Sequence, residues 1–368
     1  MQKQVQHDKP TLNMNQYFKD LIVIELAGVL AGPSAGLFFA ELGAKVIKIE
    51  NPKTGGDVTR CWKLQSEDAN DKASAYYWSI NSGKEVLFLD LSIDKDLQQF
   101  YSLIKTADVL ISNFKLDDDK KLKVDYITLK NLNPKLIYAS INGFGSNSPR
   151  TAYDLILQAE SGFMFMNGEK NAAPLKMPVA LIDILAGHQL KQAILIALLN
   201  KYKTNNGAHI TVSLFDTAIA SLANQATNWL IAHHLPSSQG SLHPNIAPYG
   251  EIFTTKDDHQ ITFAIGSDKQ FKQLCEILHL QLYTLPNYQN NQQRVANRQL
   301  LFTILNDNIR LLNFETLFKE CLKHDVPIGK IRNLKEVFEL PEAQHLLKIF
   351  TYQDKKINTV KSVSFKFQ

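Results

Sequence analysis

Asp183 is the residue of this sequence best placed to do chemistry. It lies in the run Lys176-Met177-Pro178-Val179-Ala180-Leu181-Ile182-Asp183-Ile184-Leu185-Ala186-Gly187-His188, and apolar residues continue at Leu190, Ala193, Ile194, Ile196, Ala197, Leu198 and Leu199. The stretch reads as a largely buried helix. An ionised carboxylate removed from water is costly unless something offsets it. Three roles answer that cost: a helix N-cap, one half of a buried ion pair, or a reacting group. A second carboxylate, Asp154, follows Tyr153 at the head of the amphipathic stretch Leu155 to Phe165, where it is well placed as an N-cap.

The cations suited to an anionic ligand sit in turns. Arg60 ends Gly55-Gly56-Asp57-Val58-Thr59-Arg60, where it either holds a phosphate or carboxylate or pairs with Asp57. Lys84 ends the turn Asn81-Ser82-Gly83-Lys84, and Asn113-Phe114 closes an apolar run. Gly28, Gly32 and Gly36 recur every fourth position, so no GxGxxG fingerprint is present, although Glu50 stands where a ribose-binding acid would. What remains is a glycine turn at a helix start that suits an anionic or nucleotide ligand. No GxSxG elbow marks a hydrolase. Cys61, Cys275 and Cys321 have no metal-ligand or disulfide spacing, so no metal site is expected.

The elements that must position these groups alternate. Leu21 to Leu26 is a strand, Ser34 to Leu42 a helix, and Ala44 to Glu50 a strand. Val86 to Leu91, Val109 to Ser112, Leu136 to Ile141 and His209 to Ser213 are further strands, separated by helices at 95–105, at 126–132 and after Asp183. Asp216 opens an apolar helix to about Ile231. Such alternation implies a parallel α/β sheet covered on both faces, with ligands beyond the carboxyl ends of its strands. The expected domains are a large Rossmann-like unit over 18–236, rejoined by 333–368, a linker over 237–250, and a small α+β unit over 251–332. Within the small unit, Leu285 to Asn297 reads as a surface loop, and residues 1–17 as a polar, loosely ordered arm. The chain is 45% hydrophobic and 21% charged, with a formal charge of +4 over 368 residues. That balance gives no reason to expect nucleic acid. With no secretory leader and no unbroken apolar run of about 18 residues, the expected setting is a cytoplasm without membrane association.

Taken together, these stretches resemble the class III coenzyme A transferases, the formyl-CoA transferase type. The matching segments are Val29-Leu30-Ala31-Gly32-Pro33, Leu42 to Glu50, Gly56 to Arg60, Asn113-Phe114, Asn133 to Tyr138, Gly143-Phe144-Gly145, Ala152 to Ile156, Val179 to Gly187, Val212 to Asp216, His243 to Tyr249 and Arg294 to Arg298. The resemblance implies that Asp183 is the nucleophile, attacking an acyl-CoA thioester to give a mixed anhydride and then an aspartyl-CoA thioester. An ordinary aspartate, with a pKa near about 4, would be ionised at neutral pH and need no base. It also implies that Val29, Leu30 and Ala31 line the CoA site and that Lys84, Asn113, Phe114 and Lys121 contact CoA. Asn51 stands where the formyl-CoA transferase has an arginine, so one phosphate contact is either lost or passed to Lys53. The active-site glycine tract of that enzyme is replaced by Gly240 to Tyr249. Coenzyme A thioester enters as substrate, with no tightly bound cofactor, and the expected partners are a small carboxylic acid and a second copy in an interlocked homodimer. The related α-methylacyl-CoA racemases need a second acid/base where this chain has Tyr153 before Asp154, which favours transfer over racemisation. A racemase- or isomerase-like enzyme of the same fold and a non-catalytic CoA-binding homologue are the alternatives.

Overall fold

The computed structural model describes residues 16–367, and most of the arm expected at 1–17 lies outside them. Strands and helices alternate from the start: β1 (Ile22–Glu25), α1 (Ala31–Glu41), β2 (Lys45–Glu50), α2 (Ala75–Asn81), β3 (Glu85–Phe88), α3 (Asp94–Ile104) and β4 (Val109–Ser112). There follow α4 (Asp118–Lys121), α5 (Tyr126–Leu132), β5 (Ile137–Asn142), α6 (Asp154–Glu160), α7 (Phe163–Met166), α8 (Leu181–Thr204), β6 (Ala208–Ser213), α9 (Leu214–Ala220) and α10 (Asn224–Leu230). The six strands form one parallel sheet in the order β3-β2-β1-β4-β5-β6. The expected Rossmann-like α/β class is therefore the one observed. The order reverses direction between β1 and β4, so the crevice for a ligand opens at their carboxyl ends.

Both faces of the sheet are covered. Ile24, Ile47, Leu110 and Tyr138 pack with Phe100 and Ile104 of α3 and Leu129 of α5. On the other face α1 and α8 lie against each other. Their approach needs Gly187, where a Cβ would fall 2.1 Å from Ser34 Oγ and 2.9 Å from the Ala31 carbonyl oxygen. Helix α8 is 24 residues long and apolar enough by length and composition to cross a membrane. It buries Ile182, Ala186, Leu190 and Ile194 against its neighbours, but it is not buried all round: Ile196, Leu199 and Tyr202 face outward. The apolar stretch after Asp216 forms two helices rather than one, because Ala223 takes a non-helical conformation with positive φ (50°) between α9 and α10.

A second compact unit comprises Phe163–Leu175 and Leu235–Gln344. It contains β7 (Tyr249–Thr254), β8 (Gln260–Ala264), α11 (Asp268–Ile277), α12 (Asn291–Ala296), α13 (Arg298–Ile309), α14 (Phe314–Lys323), β9 (Ile328–Lys330), α15 (Leu334–Glu339) and α16 (Pro341–Gln344). The three strands form an antiparallel sheet over an apolar core that includes Phe253, Phe263, Phe271, Leu305 and Leu317. The hairpin β10 (Leu347–Tyr352) and β11 (Lys355–Val360) belongs to the first unit.

Three expectations change here. Residues 163–175 group with the second unit, where the Gly168 carbonyl accepts the Gly240 N–H at 2.8 Å. Residues 333–344 do likewise, with Lys330 3.1 Å from Glu336. The segment 285–297 is no bare loop: α12 buries Arg294, which donates to the carbonyls of Ala247 (2.9 Å) and Tyr288 (3.1 Å) and pairs with Asp268 at 2.7 Å. Together with Asn291, which bonds Asn245 and Ala247, it ties down part of the stretch read as a linker.

Candidate active site

Asp183 stands in the first turn of α8 and is only 7% exposed. It is not the cap. The N-cap position is Ala180, which offers no side-chain hydrogen bond. The cap comes from Asp154, whose Oδ1 accepts the N–H of Ile182 at 2.8 Å and that of Asp183 at 3.3 Å. Asp154 is likewise not the cap of its own helix: it sits in the first turn of α6 behind Tyr153. Its carboxylate serves a helix that begins 27 residues later in the chain, at Leu181. Helix amino ends carry unpaired N–H groups and a positive partial charge, so a carboxylate there is favoured.

Two carboxylates in one enclosed place repel. Burial first, and the charge of Asp154 second, push the Asp183 carboxyl up to about 7. The expected ordinary aspartate is therefore replaced by a group that titrates near neutrality, more basic and more nucleophilic when ionised. Tyr76 of α2 was missed in the sequence, where it is one aromatic in an aromatic run. Burial, Asp183, Asp154 and Asp57 together push its hydroxyl up to about 12, which places it in the field of the same carboxylates.

Asp183 opens onto a cavity of about 380 Å³. The turn 28–31 at the end of β1, Asn113 and Phe114 at the end of β4, and Tyr153 line it together with Asp183. At the switch point the two loops are tied together: Asn113 Oδ1 accepts the Gly28 N–H at 3.0 Å and its Nδ2 donates to the Gly28 carbonyl at 2.9 Å. Val29 beside it is held at φ 73°, a conformation that strains a β-branched residue. Asp57 faces the Val29 N–H at 3.3 Å.

That turn rests on a buried ionic chain. Lys84 Nζ contacts Glu25 at 2.8 Å, Lys48 contacts Glu25 at 3.0 Å, and Lys48 contacts Asp57 at 3.0 Å. Glu25 and Lys48 face each other in the β1–β2 register. The one polar position of the first strand is thus an ion-pair partner. Gly36 makes the room for it, since a Cβ there would lie 1.9 Å from Glu25 Oε2.

Four cations expected at CoA are not gathered at this cavity. The Lys84 side chain is fully enclosed, pairing with Glu25 and donating to the Pro33 carbonyl at 2.9 Å. Arg60 pairs with Glu50 rather than Asp57, at 2.6 Å and 3.0 Å, and lies over the Tyr77 ring at 3.9 Å. That pair also removes Glu50 from any ribose role. Lys53 pairs with Asp90 at 2.6 Å, and Lys121 with Asp118 at 2.8 Å on an exposed helical turn. The basic residues on the cavity wall are instead Lys115, Lys120 and Arg150. Lys120 pairs with Asp117 and Arg150 with Glu160, whereas Lys115 has no carboxylate partner among the described residues. Lys115 directly follows Asn113-Phe114, and that adjacency was the available signal.

A family model described as CoA-transferase family III matches residues 18–368. The chain is 41% identical over 329 residues to a succinate–glutarate CoA-transferase of Agrobacterium fabrum, spanning 88% of this chain and 82% of that one. It is 33% identical over 347 residues to the succinyl-CoA:glutarate CoA-transferase of Homo sapiens, spanning 92% and 77%. The crystal structure of a CAIB/BAIF family protein from Brucella suis superposes with a TM-score of 0.81 at 35% identity, covering 95% of this chain and 93% of that one.

Proposed function

This chain belongs to CoA-transferase family III and is a CoA-transferase, and we propose that it moves coenzyme A from an acyl-CoA to a small dicarboxylic acid through covalent intermediates on Asp183. The observation that carries the reading is a nearly enclosed carboxylate on a helix amino end, titrating near 7, at the wall of the cavity. The glutarate named in both relatives supports a dicarboxylic acceptor.

The ionised Asp183 oxygen attacks the thioester carbonyl carbon, the C–S bond breaks, and CoA leaves as thiolate from a mixed anhydride. The thiolate then attacks the aspartyl carbonyl, releasing the donor acid as carboxylate and leaving an aspartyl-CoA thioester. The acceptor carboxylate attacks that carbonyl and displaces the thiolate. The thiolate takes the acceptor's acyl carbon and frees Asp183. No net proton is consumed, so no separate base is needed. The uncapped amino end of α1, at Leu30 and Ala31 on the cavity wall, offers N–H groups to an oxyanion. Val29, Leu30, Ala31, Asn113 and Phe114 contact CoA in this reading. Lys53, Arg60, Lys84 and Lys121 act in structure or at the surface.

A homodimer belongs to the same proposal. The outward residues Ile196, Leu199 and Tyr202 of α8, and separately Trp229, Leu230 and Ile231, are exposed apolar side chains that a second copy can cover. All three cysteines are free, which suits a reducing cytoplasm. Transfer assays with Asp183→Ala test the function, with succinyl-CoA as donor and a panel of mono- and dicarboxylates as acceptors. Loss of transfer with CoA binding retained supports it; wild-type rates in the variant refute it.

A further inference from the structure

We propose that Gln158 is a positioning residue for the reaction: it holds the second oxygen of the capping carboxylate and the segment entering α8, and so fixes the place of Asp183 beside Asp154. The inference rests on the reading of Asp183 as nucleophile.

Gln158 is 1% exposed and lies one helical turn after Asp154 on α6. Its Nε2 donates to Asp154 Oδ2 at 2.6 Å, and its Oε1 accepts the Met177 N–H at 2.8 Å. The orientation of the amide is set by its partners, because a backbone N–H only donates and a carboxylate only accepts. Asp154 Oδ1 is meanwhile held by the N–H groups of Ile182 and Asp183. Three donors therefore serve Asp154. Asp183, shifted only by burial and by the charge of Asp154, has no donor on its own oxygens among the described residues. Without Gln158, Asp154 would keep its cap but could turn about it, and the segment entering α8 through Met177 would lose its anchor. The free oxygen of Asp154 would then no longer be held at a fixed distance and angle from Asp183, and the amino end of α8 would lose its second tie. Gln158 is conspicuous in the sequence only as a polar residue within an apolar stretch, and nothing there points to Met177 or Asp154.

The titratable groups in the field of this cluster are Asp183 from α8 and Tyr76 from α2, the latter also near enough to feel Asp57. Gln158→Glu tests the proposal. A protonated carboxyl can donate to Asp154 and accept from Met177, whereas an ionised one repels Asp154. The ratio of variant to wild-type kcat is therefore near one at about pH 5.5 and falls roughly tenfold by about pH 8, while KM for the acyl-CoA changes less than about threefold. Gln158→Leu, which has no donor at any pH, shows the low ratio throughout. The proposal is overturned by pH-independent ratios in a folded Gln158→Glu enzyme, by wild-type kcat in both variants, or by unfolding of both in circular dichroism. Trapping of an acyl adduct on wild-type Asp183 in the same series keeps the two readings apart. Its absence sinks the nucleophile, whereas its presence with unaltered variants sinks only the role of Gln158.

Discussion

Asp154 caps the helix that carries Asp183, its Oδ1 accepting the Ile182 N–H at 2.8 Å. One carboxylate thus fixes the amino end of α8 and at the same time raises the affinity of its neighbour for a proton. Burial does most to raise that affinity, and the residue that fixes the position of Asp183 adds to it.

The first consequence is a pH profile. With the Asp183 carboxyl near 7, the nucleophilic form is lost as pH falls through that value. The kcat/KM for acyl-CoA should drop about tenfold per pH unit below it. Asp154→Asn can keep the cap through its amide oxygen but removes the repelling charge, so its acid limb should move to lower pH. An acid limb unchanged in that variant would mean that burial alone sets the shift.

Stability should move the opposite way. Asp183 binds its proton more tightly folded (near 7) than unfolded (near 4), so its contribution is fully present below about pH 4 and is lost as pH rises through 7. The penalty of keeping it ionised at pH 8 is on the order of 4 kcal/mol. Asp183→Asn should therefore exceed the wild type in urea stability at pH 8, with a gap that shrinks towards pH 4. A gap that does not change with pH would contradict the shift.

Lys84 separates a buried ion from a ligand contact. Removing Lys84 leaves the enclosed Glu25 with Lys48 alone, which it shares with Asp57, so Lys84→Met should cost roughly 1–3 kcal/mol in denaturant unfolding. A fully stable variant with a raised KM for acyl-CoA would instead return Lys84 to the CoA site.

Lys115 is the cavity-wall cation without a carboxylate partner among the described residues. Loss of one charge-assisted hydrogen bond to a CoA phosphate, about 1.5 kcal/mol, should raise KM for acyl-CoA roughly tenfold in Lys115→Ala with little change in kcat. Lys121→Ala, whose side chain pairs with Asp118 at the surface, should change it far less.

The alternation of apolar strands and helices made the sheet, its parallel sense and the position of its ligand crevice readable, because local periodicity carries that information. Asp183 was readable as an anomaly, a charge in an apolar run. What the sequence hid were partners chosen by tertiary approach. Arg60 has Asp57 three residues away but pairs with Glu50 across the turn, because Asp57 is taken by Lys48. Lys84 meets Glu25 across 59 residues, and Asp154 caps a helix other than its own. The helix α12 was masked by its asparagines, which favour turns on local grounds, while buried Arg294 supplies the tertiary bonds that hold it. Lys115 is marked in the sequence only by following Asn113-Phe114 directly.

The central claim is a covalent bond to Asp183, and peptide mass spectrometry measures it most directly. Enzyme turning over succinyl-CoA is treated with hydroxylamine, digested and mapped. The account predicts an aspartyl hydroxamate at Asp183, dependent on acyl-CoA and absent from Asp154. An unmodified Asp183 in enzyme that is actively transferring CoA would contradict it.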